Sequence, residues 1–433
     1  MAITTFKPDT APQLADTVQW ALSNGEPMEV LGAGTKRRLG RPVQAAYALD
    51  LSALSGVVAY EPEELVLTVK AGTPLAEVLP MLAERHQHFA FEPQDLGPLY
   101  GLAPDGGTVG GMMAAALAGP RRIQAGSARD HFLGVEGVSG RGEIYKGGGK
   151  VVKNVTGYDL PKLMAGSMGT LTAMTEVTLK VLPAPEDVRT LILAGRDDAA
   201  AVRALTLAMQ SPHEVSGAAH LPVRVAARSG VAPVAGGGVS VTAVRLEGFG
   251  PSVAARVAAL KDELGADAVL DRDESLALWR EIRDVAFYCP LPNPPPLRGG
   301  GDLGTAAADP LSREAGEGWG GGTDSRLVWK FSVAPSDGPR VAAAIRRMAE
   351  ADVYFDWGGG LLWVAAEPGD ADIRHALAGI GGHATLVRAP DDVRASVPVY
   401  QPQPEPLAAL ASRVKESFDP KRLLNPGRIY VGV

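Results

Sequence analysis

Glycine set beside cation is the first pattern in this sequence capable of chemistry. Gly32-Ala33-Gly34-Thr35 follows the short run Glu29-Val30-Leu31 and leads into Lys36, Arg37 and Arg38. Backbone amides in such a loop can face a phosphate while the cations offset its charge. Taken alone, the loop reads equally well as a tight solvated turn. Gly106-Gly107-Thr108-Val109-Gly110-Gly111 opens a small apolar run, Met112–Leu117, with Thr108 placed to cap a helix. Unblocked amides there, and the missing side chains at Gly110 and Gly111, suit an anion. Close helix–sheet packing is the alternative. Gly166-Ser167-Met168-Gly169-Thr170 stands just before an apolar strand, where glycine lets a flat ring lie against backbone. Gly126-Ser127-Ala128-Arg129-Asp130 is a further short, polar loop.

The two common nucleotide grips do not fit. Gly32-Ala33-Gly34 opens like a dinucleotide fingerprint, with Asp50 at a suitable distance. Arg37, however, stands at the third glycine position, and no helix follows. No Gly-x4-Gly-Lys-Ser/Thr occurs, which removes the P-loop. Loops spread over about 140 residues suit a long ligand with a diphosphate centre and a planar end, and FAD has that shape.

The elements that must position these loops follow from periodicity. Residues 12–23 predict a helix with Leu14, Val18 and Leu22 on one face. Short strands are expected at Glu29–Leu31, Ala46–Leu51, Val57–Tyr60 and Leu65–Lys70, then a helix over Pro74–Glu84 and a strand over Ala173–Val181. The whole is an α+β fold. With 433 residues the chain exceeds one core, so a first domain over 1–185 and a cap domain over 186–400 are expected. Residues 401–433 read as a C-terminal helix (Leu407–Phe418) and a tail packing back on the first domain, ending in a short strand. Residues 291–322, rich in proline and glycine, read as a disordered insertion.

Composition bounds the function. Glycine makes up 52 of 433 residues, and the loops above account for part of that excess. A net charge of −7 argues against a nucleic-acid partner. One cysteine, Cys289, excludes an internal disulfide and a cysteine-based metal site, and fits a cytoplasmic compartment. No run is long enough for a transmembrane helix. His213 and His220 lack intervening acids, so no metal site is expected.

The motifs occur in a recognisable order. Thr108-Val109-Gly110-Gly111, Gly119-Pro120-Arg121-Arg122, Gly126–Asp130, Lys153-Asn154-Val155-Thr156-Gly157-Tyr158-Asp159-Leu160, Gly166–Thr170 and Thr175–Thr178 resemble the PCMH-type (vanillyl-alcohol-oxidase-like) FAD domain. Within that family the chain is most similar to the FAD-binding subunits of bacterial glycolate oxidases, to which the closing Asn425-Pro426-Gly427-Arg428 also conforms. The resemblance implies two α+β subdomains gripping FAD non-covalently, then an α+β cap over the ring. It implies a diphosphate held by Gly32, Ala33, Gly34, Thr35, Lys36 and Arg37 and by Thr108, Gly110 and Gly111. It implies Gly126, Ser127, Arg129, Asp130, Gly166, Ser167, Gly169 and Thr170 along the ribityl and ring, with Val177 backbone at the ring. Ala116 stands where relatives commonly carry glycine or asparagine, and Lys330 follows Trp329 where arginine is expected.

Oxidising a hydroxy acid needs a base, a cation for the carboxylate and a hydride path to flavin. The histidine-bearing Gly-Asp-Gly-Asn-x-His-like block of the catalytic relatives is absent. Trp329, Lys330, Asp356 and Tyr158 are the candidate catalytic residues, with core or structural roles as the alternative. The resemblance therefore implies a flavin subunit of a glycolate (2-hydroxy acid) oxidase or dehydrogenase complex. Its partners would be a catalytic flavoprotein subunit and an iron–sulfur subunit, with membrane contact only through them. A self-sufficient FAD oxidoreductase of a small hydroxy acid or alcohol is the alternative.

Overall fold

The computed structural model describes residues 3–149, 157–290, 325–369 and 372–433. The proline-glycine insertion and the block Lys153–Thr156 lie outside the described residues.

Polar capping and apolar spacing set the first layer. The helix Ala11–Asn24 starts at Thr10 and stops at Gly25, whose φ of 70° closes the left-handed end. Its buried face, Leu14, Val18 and Ala21, covers a parallel three-stranded sheet. That sheet is ordered Thr4–Phe6, Tyr47–Asp50, Met28–Leu31. Leu423 and Leu424 join the same core, and Leu424 bridges to Met28 in parallel. The C-terminal tail thus completes the layer begun by the N-terminal residues. After Leu424 the chain runs through turns and bends, so the expected final strand is absent. Asn425-Pro426-Gly427 explains this: proline removes a donor and Gly427 takes φ 72°.

An antiparallel five-stranded sheet follows. Its order is Val57–Glu61, Val66–Lys70, Thr172–Lys180, Phe132–Ser139, Ile144–Gly148. The helix Val109–Ala115 packs on it through Met112 and Met113, against Leu67, Val69 and Val177. The hairpin Phe132–Gly148 was not expected from the sequence, because its glycines blur the alternation of apolar and polar positions.

An eight-stranded antiparallel sheet forms the rest. It consists of two β-α-β-β-helix-β units, each with its strands ordered 4-1-3-2. The units meet at their second strands, Gly217–Leu221 and Ala351–Asp356, through the pair His220↔Phe355. Leu39, Leu96, Leu99 and Tyr100 from the first half share one core with Trp363 of this sheet and with Trp279 and Tyr288. The two halves therefore meet across a packed seam. Among the described residues no helix is long and apolar enough to cross a membrane.

Candidate functional site: a cationic groove and a charged seam

Glycine loops converge on one groove. It encloses about 490 Å³, part of it open to solvent, and is lined by Val30–Arg37, Thr108, Gly111, Ala114, Ala115, Met168, Asn425 and Arg428. Gly32 brings its backbone against Thr108, where a Cβ would stand 2.5 Å from Thr108 Oγ1. That contact fuses the first loop to the second. The amides of Ala33, Gly34, Thr35 and Lys36 donate no hydrogen bond among the described residues. A row of free amides in a glycine turn is an anion nest.

The second loop behaves differently from expectation. Val109 and Gly110 amides donate to Thr73 and Ala71 carbonyls at 2.9 and 2.7 Å. The Gly111 amide donates to the Thr108 hydroxyl at 3.2 Å, so Thr108 is the helix cap. These donors are already spent. Gly110 serves close packing, since a Cβ there would meet Ala71 at 2.7 Å. Gly111 instead faces the groove, with only the Thr108 hydroxyl near its missing side chain.

The third loop is zipped onto the end of the same helix. Gly166 and Met168 amides donate to Met113 and Ala114 carbonyls, at 3.1 and 2.9 Å. Ala116 ends that helix at φ 47°, a left-handed position that favours glycine or asparagine. Thr170 turns inward, and its carbonyl accepts from the buried Lys415 Nζ. Ser167 Oγ is buried without a hydrogen-bond partner.

Gly126, Ser127, Arg129 and Asp130 are not among the groove-lining residues. Asp130 accepts from Ser127 at both the amide and the hydroxyl, which holds its carboxyl below the usual range. Arg129 donates to the Lys162 carbonyl at 3.1 Å. Val177 is buried mid-sheet, paired with Val69 and Val135.

Charge is concentrated at one end of the groove. Glu29, buried beneath it, pairs with Arg37 and with Arg428 at 3.6 Å. Lys36 is half-buried, and desolvation of its ammonium lowers its pKa against the opposing pull of Asp95. The lining cations thus outnumber their carboxylate partner, which favours a bound polyanion. Asn425 and Arg428 were missed as site residues. Their only sequence signal is the Asn-Pro-Gly-Arg turn near the C-terminus, far along the chain from the loops they support.

A second polar cluster lies at the seam. Glu92 accepts both guanidinium nitrogens of Arg245, at 2.8 and 3.0 Å, and the Arg121 amide at 2.6 Å. Arg121 also pairs with Glu247 at 3.0 Å, while Arg245 stacks on Trp279. Burial opposes ionisation of Glu92, but Arg245 and Arg121 outweigh it and hold the carboxyl down to about 2. Gly119 explains the turn that presents Arg121. A Cβ there would meet Glu92 at 2.8 Å and Arg283 at 2.9 Å.

The candidate catalytic residues separate. Strand alternation turns Trp329 into a core with Phe331 and Val341, beneath Arg374, so it does not share a site with Lys330. Tyr158 is 90% exposed and joins neither cluster. Lys330 and Asp356 do come together at the seam. Burial, then Arg122, brings Lys330 down to about 8, and burial pushes Asp356 up to about 7. His220 is buried against Thr242 and His213 pairs with Glu263. Among the described residues no group of side chains is arranged to hold a metal ion.

Comparison with known proteins places this geometry. Residues 3–148 match the family model of an FAD binding domain. The chain is 30% identical to glycolate oxidase subunit GlcE of Escherichia coli (strain K12), over 98% of both chains. It is 30% identical to glycolate oxidase subunit GlcD of Bacillus subtilis (strain 168), over 38% of this chain and 34% of that one. Among solved structures, 4-ethylphenol oxidase from Gulosibacter chungangensis superposes with a TM-score of 0.66 at 14% identity, covering 99% of this chain and 89% of that one. p-Cresol methylhydroxylase gives 0.65 at 16% identity, covering 98% and 88%.

Proposed function

The chain belongs to the PCMH-type FAD-binding flavoproteins, in the family of glycolate oxidase subunit GlcE, and from that premise we propose that it is the FAD-binding subunit of a glycolate (2-hydroxy acid) oxidase complex. FAD is its cofactor, and the oxidoreductase class follows from the family. The complex would include a catalytic flavoprotein subunit and an iron–sulfur subunit, with the membrane reached only through them. The observation that carries the reading is the match to GlcE along 98% of both chains, with three of the four glycine loops meeting at one cationic groove.

The groove residues fit the cofactor's chemistry. The free amides of Ala33–Lys36, the Lys36 ammonium and the Arg37–Glu29–Arg428 set would hold the diphosphate. Gly111, Ala114, Ala115 and Met168 supply an apolar wall for the rest. Gly166, Ser167, Gly169 and Thr170 support that wall from behind. In this reading residues 1–185 bind flavin, 186–400 form the cap, and 401–433 return to close the groove. Bound FAD supplies a two-electron acceptor for an alcohol C–H bond.

The seam favours a second reading, in which this chain takes the hydroxy acid itself. Arg122 and Lys330 would bind its carboxylate. Asp356, buried and raised to about 7, would take up the hydroxyl proton as the 2-oxo acid forms. Purification alone and with the partner subunits, followed by glycolate-dependent flavin reduction, separates the two. Reduction only in the complex supports the subunit reading, and fast reduction of the isolated chain supports the second. A purified chain that takes up no FAD would overturn both.

A further inference from the structure

The loop after the strand Ala351–Asp356 places a bulky side chain where the backbone favours glycine. Trp357 takes φ 51°, followed by Gly358 at 68° and Gly359 at 104°. An outlier of this kind in a large residue persists only where its surroundings hold it. Here they do. Asp356 Oδ1 accepts the Trp357 amide at 2.7 Å, and the indole Nε1 donates to the Gly119 carbonyl at 3.1 Å. Gly119 has no room for a side chain between Glu92 and Arg283, so that acceptor is fixed. The tryptophan reaches from the cap sheet across the seam to the other half.

Its ring meets cations from both sides of the seam. Arg122 Cζ lies 4.4 Å from the indole centroid and Lys330 Nζ lies 5.0 Å from it. Neither cation has an ion pair or hydrogen bond among the described residues. Arg122 repels Lys330 and helps to lower its pKa, and both act the same way on His383. The π face is a weak substitute for a counter-ion. A carboxylate would give both cations charge-assisted hydrogen bonds, which are stronger and directional.

We propose that Trp357 is the gate and size filter of a small-carboxylate site whose cations are Arg122 and Lys330. The indole lies against both cations, Arg122 on its exposed side and Lys330 on its half-buried side, and yields when a short 2-hydroxy acid enters. It excludes acids whose second substituent would need the volume of the ring. The identity of the anion rests on the 2-hydroxy-acid reading above; the gate itself rests on the seam geometry.

The test uses the full flavin-loaded chain with glycolate and mandelate as probes, read by calorimetry and tryptophan fluorescence. Wild type binds glycolate at least about 10-fold more tightly than mandelate, with a fluorescence change that Trp357→Phe removes while glycolate binding remains. Trp357→Ala brings the two acids to within a few-fold of each other. Should that variant fail to fold, Arg122→Gln serves instead: glycolate binding falls about 10-fold with flavin content unchanged. An unchanged glycolate preference in Trp357→Ala, unaltered binding in Arg122→Gln, or no carboxylate binding by wild type overturns the proposal. Failure to take up FAD would sink the cofactor assignment instead, and is visible before any acid is added.

Discussion

Asn425 holds Val30 by both of its backbone groups, although the two residues are 395 positions apart. Its Oδ1 accepts the Val30 amide at 2.8 Å, and its Nδ2 donates to the Val30 carbonyl at 3.4 Å and to the Met168 carbonyl at 2.8 Å. One side chain near the C-terminus thus sets the distance between the first and third glycine loops. It does so from a left-handed backbone, φ 45°, that asparagine tolerates better than most residues.

Asn425→Ala leaves those backbone groups without partners and should cost about 2–3 kcal/mol of stability. Flavin affinity should fall with it. Asn425→Asp keeps the acceptor for Val30 and loses both donors, so its effect should be intermediate. Chemical denaturation and flavin titration of the two variants check this; equal stability for all three proteins would contradict it.

Lys36→Met should weaken FAD binding about 10- to 100-fold, the scale of a charged hydrogen bond lost from a buried anion. The flavin-free variant should be no less stable than wild type, because burial already disfavours the ammonium. Flavin fluorescence titration beside a thermal melt of the stripped protein separates the two effects.

Lys415 and Asp419 form an ion pair with both side chains fully buried, and Lys415 also donates to the Leu424 carbonyl. The pair anchors the tail that carries Asn425. Asp419→Ala should cost about 3–5 kcal/mol, since it strands a buried ammonium. Lys415→Met combined with Asp419→Ala should cost less than the single changes together. A denaturation cycle across the four proteins measures the coupling, and simple additivity would contradict the account.

The seam should respond to acid. Glu92 is held down to about 2 in the fold against an ordinary value of 4.5, so the unfolded chain binds its proton first as pH falls. Its contribution is therefore complete above about 4.5 and disappears as pH drops through about 2. Melting temperature against pH should steepen over that window in wild type and flatten in Glu92→Gln. Parallel curves would show that the clasp carries no such linkage.

Carboxylate binding at the seam should weaken with rising pH. Lys330 loses its proton through about 8, and Asp356 gains negative charge through about 7. Arg245 stays charged throughout, and Glu92 stays ionised, so they do not alter the sign. His383 is lowered by burial and by both nearby cations, so it adds less positive charge than a free histidine would. Calorimetry with glycolate at pH 6 and pH 9 should show the tighter binding at pH 6. Equal affinities would remove Lys330 from the site.

Much of this was legible in the sequence where it is local. The glycine-cation loop, the Thr108 cap and the strands Val66–Lys70 and Thr172–Lys180 sit where periodicity and turn chemistry put them. The spacing of Gly110 and Gly111 cannot say which glycine faces a ligand and which faces Ala71; only the sheet beneath decides that. Alternation along a strand separates Trp329 from Lys330, yet their adjacency in sequence suggested one site. Glu92, Arg121, Arg245 and Glu247 come from three distant segments, and no short motif links them. Asn425 was visible as a turn residue, but its part in spacing two loops depends on a fold that returns the tail to the first sheet.

The most direct test of the central claim is an FAD titration of the flavin-stripped chain beside Gly111→Leu. Gly111 faces the groove, and a Cβ there meets only the Thr108 hydroxyl, at 3.1 Å, which a small shift of that side chain relieves, so leucine should fill space meant for ligand while the fold is kept. The account predicts one FAD per wild-type chain, and binding weakened about 100-fold or more in a variant with an unchanged circular dichroism spectrum. Equal affinity in the two proteins would contradict it.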